Sequence, residues 1–287
     1  MCSHNSEARQ RYARHMREEP PPFDEETLDG AVGAVRIGRT VRKASGPWTP
    51  TVHALLNFLL DHGFDLAPRP LGFDEGGREV LSWLDGTPAN RPWPDVLRSS
   101  DGVAQLATVL RRFHDVVRIF DPGPHATWRS GPRPLRDGEI VCHGDFGPWN
   151  TLWEEDEVVG VIDWDMAEPF PPITDVAFLA LQLVPLRPDA YASKAGFQSV
   201  PARRERLRAL CSAYGGVEPA DVLAEVAAWH VRDRWRTTAW GPGGREPWAT
   251  FLARGDVQMI DEDATWLSEH GSSLADRGRD RSHSSDG

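Results

Sequence analysis

Lysine is almost missing from this chain: Lys43 and Lys194 stand alone among 287 residues, while the other thirty basic side chains are arginines. Cysteine is nearly as scarce. Cys2, Cys142 and Cys211 are far apart and form no C-x-x-C pair, which excludes a disulfide framework and a Cys-rich zinc site and suits a reducing cytoplasm. No apolar run is long enough to cross a bilayer, since the longest, residues 176–186, is interrupted by Gln182 and Pro185. The first 22 residues carry charges but no apolar core, so they do not read as a signal peptide. Positive charge is in deficit, with 32 Lys+Arg against 43 Asp+Glu and a net charge of −11. That balance argues against nucleic acid or an anionic membrane as the main partner, because both need a basic face. Neither G-x-G-x-x-G nor a Walker P-loop occurs. A cytoplasmic globular protein of one large domain or two lobes is expected.

The apolar pattern changes twice along the chain. Residues 1–22 and 271–287 are polar and are expected to be disordered tails. Residues 30–43 alternate, with Val35, Ile37 and Val41 on one parity around Gly38-Arg39, which predicts a β-hairpin. Thr49-Pro50 then reads as an N-cap and first helical residue. Val52, Leu55, Leu56, Leu59 and Leu60 recur at helical spacing until Gly63. Residues 78–84 predict another strand. From Asp101, expected to cap a helix, the pattern is mostly helical, with further helices over 203–214, 219–238 and 247–269. Two short strands, 139–142 and 158–162, interrupt it.

Residues 137–175 hold eleven acids and no Lys or Arg, an excess equal to the whole net charge. Glu154, Glu155, Asp156 and Glu157 read as a solvated turn. Asp145 and Asp163 do not, because each follows an apolar strand. Carboxylates held there, close together and partly desolvated, repel one another unless a cation is bound. Oxygen donors without Cys or clustered His suit Mg²⁺ rather than zinc.

The segment contains His143-Gly144-Asp145-Phe146-Gly147-Pro148-Trp149-Asn150 and, thirteen residues after the Asn, Asp163-Trp164-Asp165, with Asp175 beyond. H-G-D-x-x-x-x-N followed by I-D-W-D resembles the aminoglycoside phosphotransferase family, small-molecule kinases with a protein-kinase-like fold. The resemblance implies an α+β fold of two lobes. A small β-rich N-terminal nucleotide-binding lobe would occupy residues 23–88, and a larger helical catalytic and acceptor-binding lobe residues 89–270. It implies ATP and Mg²⁺ as cofactors and a small hydroxyl-bearing substrate. Asp145 would accept or orient the attacking hydroxyl's proton, and Asn150 and Asp163 would hold Mg²⁺. His143, Asp165 and Asp175 would be supporting residues, with Asp175 anchoring the catalytic loop.

In the small lobe, the same resemblance assigns phosphate contact to a strand lysine. Lys43 shares a face with Val41, and Arg42 points to the other; the alternative for Lys43 is a surface lysine at a strand end. Gly30 and Gly33 either let a turn approach the phosphates or serve as plain turn residues. Residues 80–84, centred on Ser82 and Trp83, correspond to the hinge whose backbone meets adenine. One departure stands out: the helix over residues 50–62 contains no Glu to pair with the lysine. Toward the C-terminus, Trp229, Arg232, Arg234, Trp235, Arg236, Trp240 and Trp248 form either an acceptor wall or core tryptophans with solvated arginines. A catalytically silent relative that binds nucleotide or a partner is the alternative to a kinase.

Overall fold

The computed structural model describes residues 25–28 and 33–275, so the expectations for the first 22 residues and for Gly30 fall outside the described residues. The chain divides into two compact units. One comprises the residues to Ser45 together with Arg69–Trp83, and the other Gly46–Pro68 with everything from Leu84 onward.

The first unit is a single antiparallel sheet of β1 (Glu26–Thr27), β2 (Val35–Ile37), β3 (Thr40–Lys43), β4 (Pro70–Phe73) and β5 (Glu79–Ser82), in the order β1-β2-β3-β5-β4. Gly38, at φ 59°, makes the two-residue turn that joins β2 to β3, as the alternation predicted. β5 is an inner strand, hydrogen-bonded to β3 on one side and β4 on the other. β4 escapes a reading for alternation because Pro70 and Gly72 are poor strand formers and the pairing shifts register between them.

In the second unit, helix α1 (Thr49–Asp61) buries Val52, Leu55, Leu56 and Leu59, the predicted stripe. Its start differs by one residue: Trp48 is the cap position, and the Thr49 hydroxyl accepts from the Gly46 N–H. Gly63, at φ 85°, closes it with a Schellman pair, Phe64 N–H to Leu59 O at 2.8 Å and Gly63 N–H to Leu60 O at 3.3 Å. The buried stripe packs α1 within this unit, against the Thr127–Trp128 strand and the Ser100–Val117 helix, so α1 does not group with the small sheet as the 23–88 lobe expects.

After β6 (Thr87–Pro88) and the short α2 (Asp95–Arg98) comes α3 (Ser100–Val117). Ser99, rather than Asp101, caps it, its hydroxyl accepting from Asp101 and Gly102 N–H. The hairpin β7 (Thr127–Trp128) and β8 (Gly131–Pro132) leads to β9 (Ile140–Cys142), which pairs with β12 (Glu168–Phe170). Between these lies the hairpin β10 (Thr151–Glu154) and β11 (Glu157–Val161), with the acidic residues at its turn. The apolar run is α4 (Ile173–Leu183), buried on every side, so no helical stripe marks it in the sequence. α5 (Asp189–Lys194), α6 (Arg203–Tyr214) and α7 (Pro219–Trp240) follow. The predicted helix 247–269 is two, α8 (Trp248–Arg254) and α9 (Asp256–Ala275), broken at Gly255 with φ 85°. α9 also corrects the tail boundary: residues 271–275 are helical because Leu274 remains buried.

α3 packs on α6, α4 on α7, and α7 on α9. Each fully buried Leu or Phe at these contacts contributes about 1.5–3 kcal/mol. Arg206 staples the layers: its guanidinium donates to the carbonyls of Leu97, Arg98, Ser99 and Leu183, and burial pushes its pKa down to about 10. Among the described residues no helix is long and apolar enough to cross a membrane.

Candidate active site

β9 and the end of β11 deliver the acidic residues. β9 is fully buried and ends at Cys142, so the backbone leaves it at His143 in a fixed direction. Gly144 turns the chain at φ 79°, and a Cβ there would sit 2.1 Å from the Met166 carbonyl oxygen; only glycine fits. Asp175, in the first turn of α4 and completely buried, accepts the N–H of His143 at 2.7 Å and of Gly144 at 3.0 Å. His114 Nε2 adds a third contact at 3.2 Å, and Tyr214 meets His114 Nδ1 at 2.7 Å. Burial pushes the Asp175 carboxyl upward, but the hydrogen bonds and the neighbouring imidazoles outweigh it and hold the group below its ordinary value. His114, Cys142 and Asp175 place ligand atoms within 4.8 Å of one another. Cys142 faces the Phe170 and Pro171 carbonyls and its thiol is pushed up by burial, so the cluster is a hydrogen-bonded anchor rather than a metal site.

His143 ties the loop to the second strand end. Its Nδ1 accepts the Asp145 N–H at 3.3 Å, so the hydrogen is on Nε2, which meets the Ile162 carbonyl at 3.1 Å. The Ile162 N–H in turn donates to the Asn150 carbonyl at 2.9 Å. Asp163 follows immediately, exposed and left-handed at φ 58°, ψ 67°. That conformation costs a non-glycine residue about 1–2 kcal/mol.

Asp145 is half-buried. Its Oδ2 accepts from Asn150 Nδ2 at 2.8 Å and from Trp149 Nε1 at 3.3 Å. Burial and the charge of Asp163 nevertheless push its pKa up to about 7, with a further push from Asp233. Asn150 spends its amide group on Asp145, reaching the backbone oxygen at 2.9 Å as well, which turns its carbonyl oxygen the other way. An amide oxygen beside two carboxylates, without Cys or His among them, is a hard-oxygen donor set that fits a divalent cation such as Mg²⁺. Asp165 points instead to Arg129, 3.3 Å away, whose guanidinium covers the Trp48 ring.

Lys43, Gly33, Ser82 and Trp83 belong to the first unit. Lys43 lies across from Glu79 in the β3–β5 register, with Nζ 3.7 Å from its carboxylate. Arg42, on the opposite face, holds the Thr40 hydroxyl and lies 3.8 Å from Asp74. Gly33 is an exposed turn residue at φ 74° with open space around it. At the expected hinge, the Ser82 N–H donates to the Arg69 carbonyl at 2.8 Å, and the Trp83 N–H to that of Arg39 at 2.9 Å. Arg36 stacks 4.1 Å from the Trp83 ring.

The C-terminal Trp/Arg segment splits between the two readings. Trp248 is buried, Trp240 packs edge-on against it, and Arg236 clamps Glu168 with bonds of 2.5 and 3.0 Å; these are internal. Arg234 pairs on the surface with Asp261, and Trp235 is exposed. Trp229 is different. It meets Phe178 at 5.3 Å, which meets Trp149 at 6.0 Å, which bonds Asp145. One turn along α7 from Trp229 stands Asp233, whose charge Asp145 feels and whose own carboxyl burial pushes up to about 6. Sequence reasoning missed Asp233. Its signal was the i, i+4 spacing from Trp229, hidden by arginines on both sides.

A model of the phosphotransferase enzyme family matches residues 125–219, the stretch that holds the catalytic loop and both strand ends. The trifolitoxin immunity protein of Rhizobium leguminosarum bv. trifolii is 35% identical over 194 residues, 66% of this chain and 72% of that protein. Two solved structures share the fold at low identity. A choline/ethanolamine kinase family protein from Mesorhizobium loti superposes with a TM-score of 0.54 at 16% identity, covering 94% of this chain and 99% of that one. The GDP complex of aminoglycoside 2'-phosphotransferase-IIIa gives 0.53 at 12% identity, with the same coverages. The fold is therefore kinase-like, with a small antiparallel sheet and a larger helical part.

Proposed function

Since the chain belongs to the phosphotransferase enzyme family, we propose that it transfers the γ-phosphate of ATP to a hydroxyl of a small molecule. The observation that carries this reading is the convergence of Asp145, Asn150 and Asp163, tied together through His143 and the Asn150–Ile162 backbone bond. Phosphoryl transfer asks for positioning and charge neutralisation more than for covalent help. Asp145 receives the hydroxyl proton on its carboxylate; the burial that raises its pKa makes it a stronger base than a solvated aspartate. Trp149 and Asn150 hold that carboxylate in one orientation. The Asn150 amide oxygen and Asp163 would hold Mg²⁺, which supplies neutralisation of the phosphate charge. Lys43 would contact the phosphates from the small sheet.

On the acceptor side, Asp233 is a carboxylate outside the cation-binding set, and Trp229 beside it offers an aromatic face. The pair suits an acceptor that carries a cationic group as well as the hydroxyl. The relative named for immunity to trifolitoxin makes toxins the first acceptors to try, alongside aminoglycosides, macrolides and amino alcohols. The purified protein is expected to bind ATP in a Mg²⁺-dependent manner that Asp163→Ala abolishes. Turnover with its acceptor is expected to vanish in Asp145→Asn, with ATP binding retained. A protein that binds no nucleotide under any divalent condition would overturn the assignment. Binding without turnover across the panel would favour the silent relative.

A further inference from the structure

Helix α1 carries no acid before its last residue, Asp61, so the carboxylate that usually partners the strand lysine is absent from it. The sheet supplies one instead. Glu79 opens β5 and stands directly opposite Lys43 in the antiparallel register, on the face that also carries Val41 and Leu81. Its Oε2 is 3.7 Å from Lys43 Nζ. Glu79 is 1% exposed, in a strand with neighbours on both sides. A carboxylate in such a place has lost its water and persists only beside a cation; stability alone would favour an apolar residue there.

We infer that Glu79 is the positioning residue for Lys43, holding its ammonium for the nucleotide phosphates in place of a helix carboxylate. This rests on the ATP-dependent reading above. The physical consequence concerns assembly. Both partners are fixed by the same ladder, Thr40 opposite Ser82 through Lys43 opposite Glu79, so the pair forms whenever the sheet forms. No helix has to swing for the Lys43–Glu79 pair to form.

The scarcity of lysine makes the test direct. Lys194 is exposed on α5 and serves as an internal control. In the unaltered protein, acetylation followed by mass spectrometry should show Lys43 protected by Mg²⁺-ATP and Lys194 unaffected. Glu79→Gln should raise the KM for ATP about tenfold, the size of one charge-assisted contact, and should weaken the protection of Lys43. In a Lys43→Met background the same Glu79→Gln change should leave the KM where Lys43→Met alone puts it, because the residue acts through the lysine. Glu79→Asp, which keeps the charge, should recover part of the loss and covers the case in which Glu79→Gln fails to fold. An unchanged KM in Glu79→Gln, or additive effects in the double variant, would overturn the inference while leaving the kinase reading intact. No nucleotide binding by the unaltered protein would overturn both.

Discussion

Asp175→Asn tests how the catalytic loop is held, because it alters one atom of a completely buried carboxylate and nothing of its shape. The native carboxylate takes three donors: the His143 and Gly144 N–H groups and His114 Nε2. A carboxamide has one acceptor oxygen. If that oxygen keeps His143 and His114, the new NH₂ group faces the Gly144 N–H at about 3.0 Å, donor against donor. The loss is one charge-assisted hydrogen bond plus one buried N–H without an acceptor, about 2–4 kcal/mol together. Urea unfolding monitored by tryptophan fluorescence reads this as a lower midpoint. The cost to catalysis is of similar size, since a shift of about 1 Å in the loop carrying Asp145 is worth about 10²-fold in kcat.

The pH dependence of the same comparison has a definite sign. The Asp175 carboxyl is held below its ordinary value of 3.8, so its contribution to stability is complete above that value and is lost as pH falls through the depressed folded pKa. The stability gap between the wild type and Asp175→Asn should therefore be constant from neutral pH down to about 4 and close at more acid pH. A gap below about 1 kcal/mol at pH 7, or one that widens on acidification, would refute the anchoring role.

Two further substitutions probe the loop and the Trp229–Asp233 face of α7. Gly144→Ala pushes a methyl group to 2.1 Å from the Met166 carbonyl oxygen and forces alanine to φ 79°; the expected cost is about 2–4 kcal/mol, seen as a drop in Tm with near-total loss of turnover. Asp233→Asn should raise the KM for a cationic acceptor at least tenfold at pH 7.5 and leave the KM for ATP unchanged. Because the Asp233 carboxyl titrates near 6 in the folded chain, the folded state disfavours its charge above that pH, and the substitution should leave Tm equal or higher. A fall in Tm with unchanged acceptor kinetics would assign Asp233 to the structure instead.

The residues that carry chemistry were legible where their signal is local. H-G-D-x-x-x-x-N keeps Asp145 and Asn150 five residues apart, and one 3₁₀ turn (Pro148–Asn150) folds the amide back onto the carboxylate. Asp175 was legible as an anchor only through the resemblance, since it contacts a backbone more than thirty residues away. Helices with a single apolar stripe, such as α1, could be read to within a residue or two. α4 could not, because burial on every side erases the period that marks an amphipathic helix. The break between α8 and α9 was also hidden: Gly255 interrupts a pattern that stays apolar on both sides.

Glu79 and Asp233 show why part of a site stays out of reach of a sequence. Each carboxylate has meaning only through a partner on another element, Lys43 across a strand register or Asp145 through space. In the sequence, Glu79 sits between Arg78 and Val80 at the start of a predicted strand, where a solvated end residue is the natural reading. Asp233 sits between Arg232 and Arg234, where an exposed charged helix face is. Burial reverses both readings, because a desolvated carboxylate is destabilising unless it meets a cation. For Glu79 that cation is Lys43, built into the sheet. Asp233 is half-buried, and burial raises its carboxyl pKa more than the charges of Arg236 and Arg232 lower it. Asp233 also lies one helical turn from Trp229, whose contacts run through Phe178 and Trp149 to Asp145, so the Asp233→Asn kinetics decide whether its charge serves the acceptor or the fold.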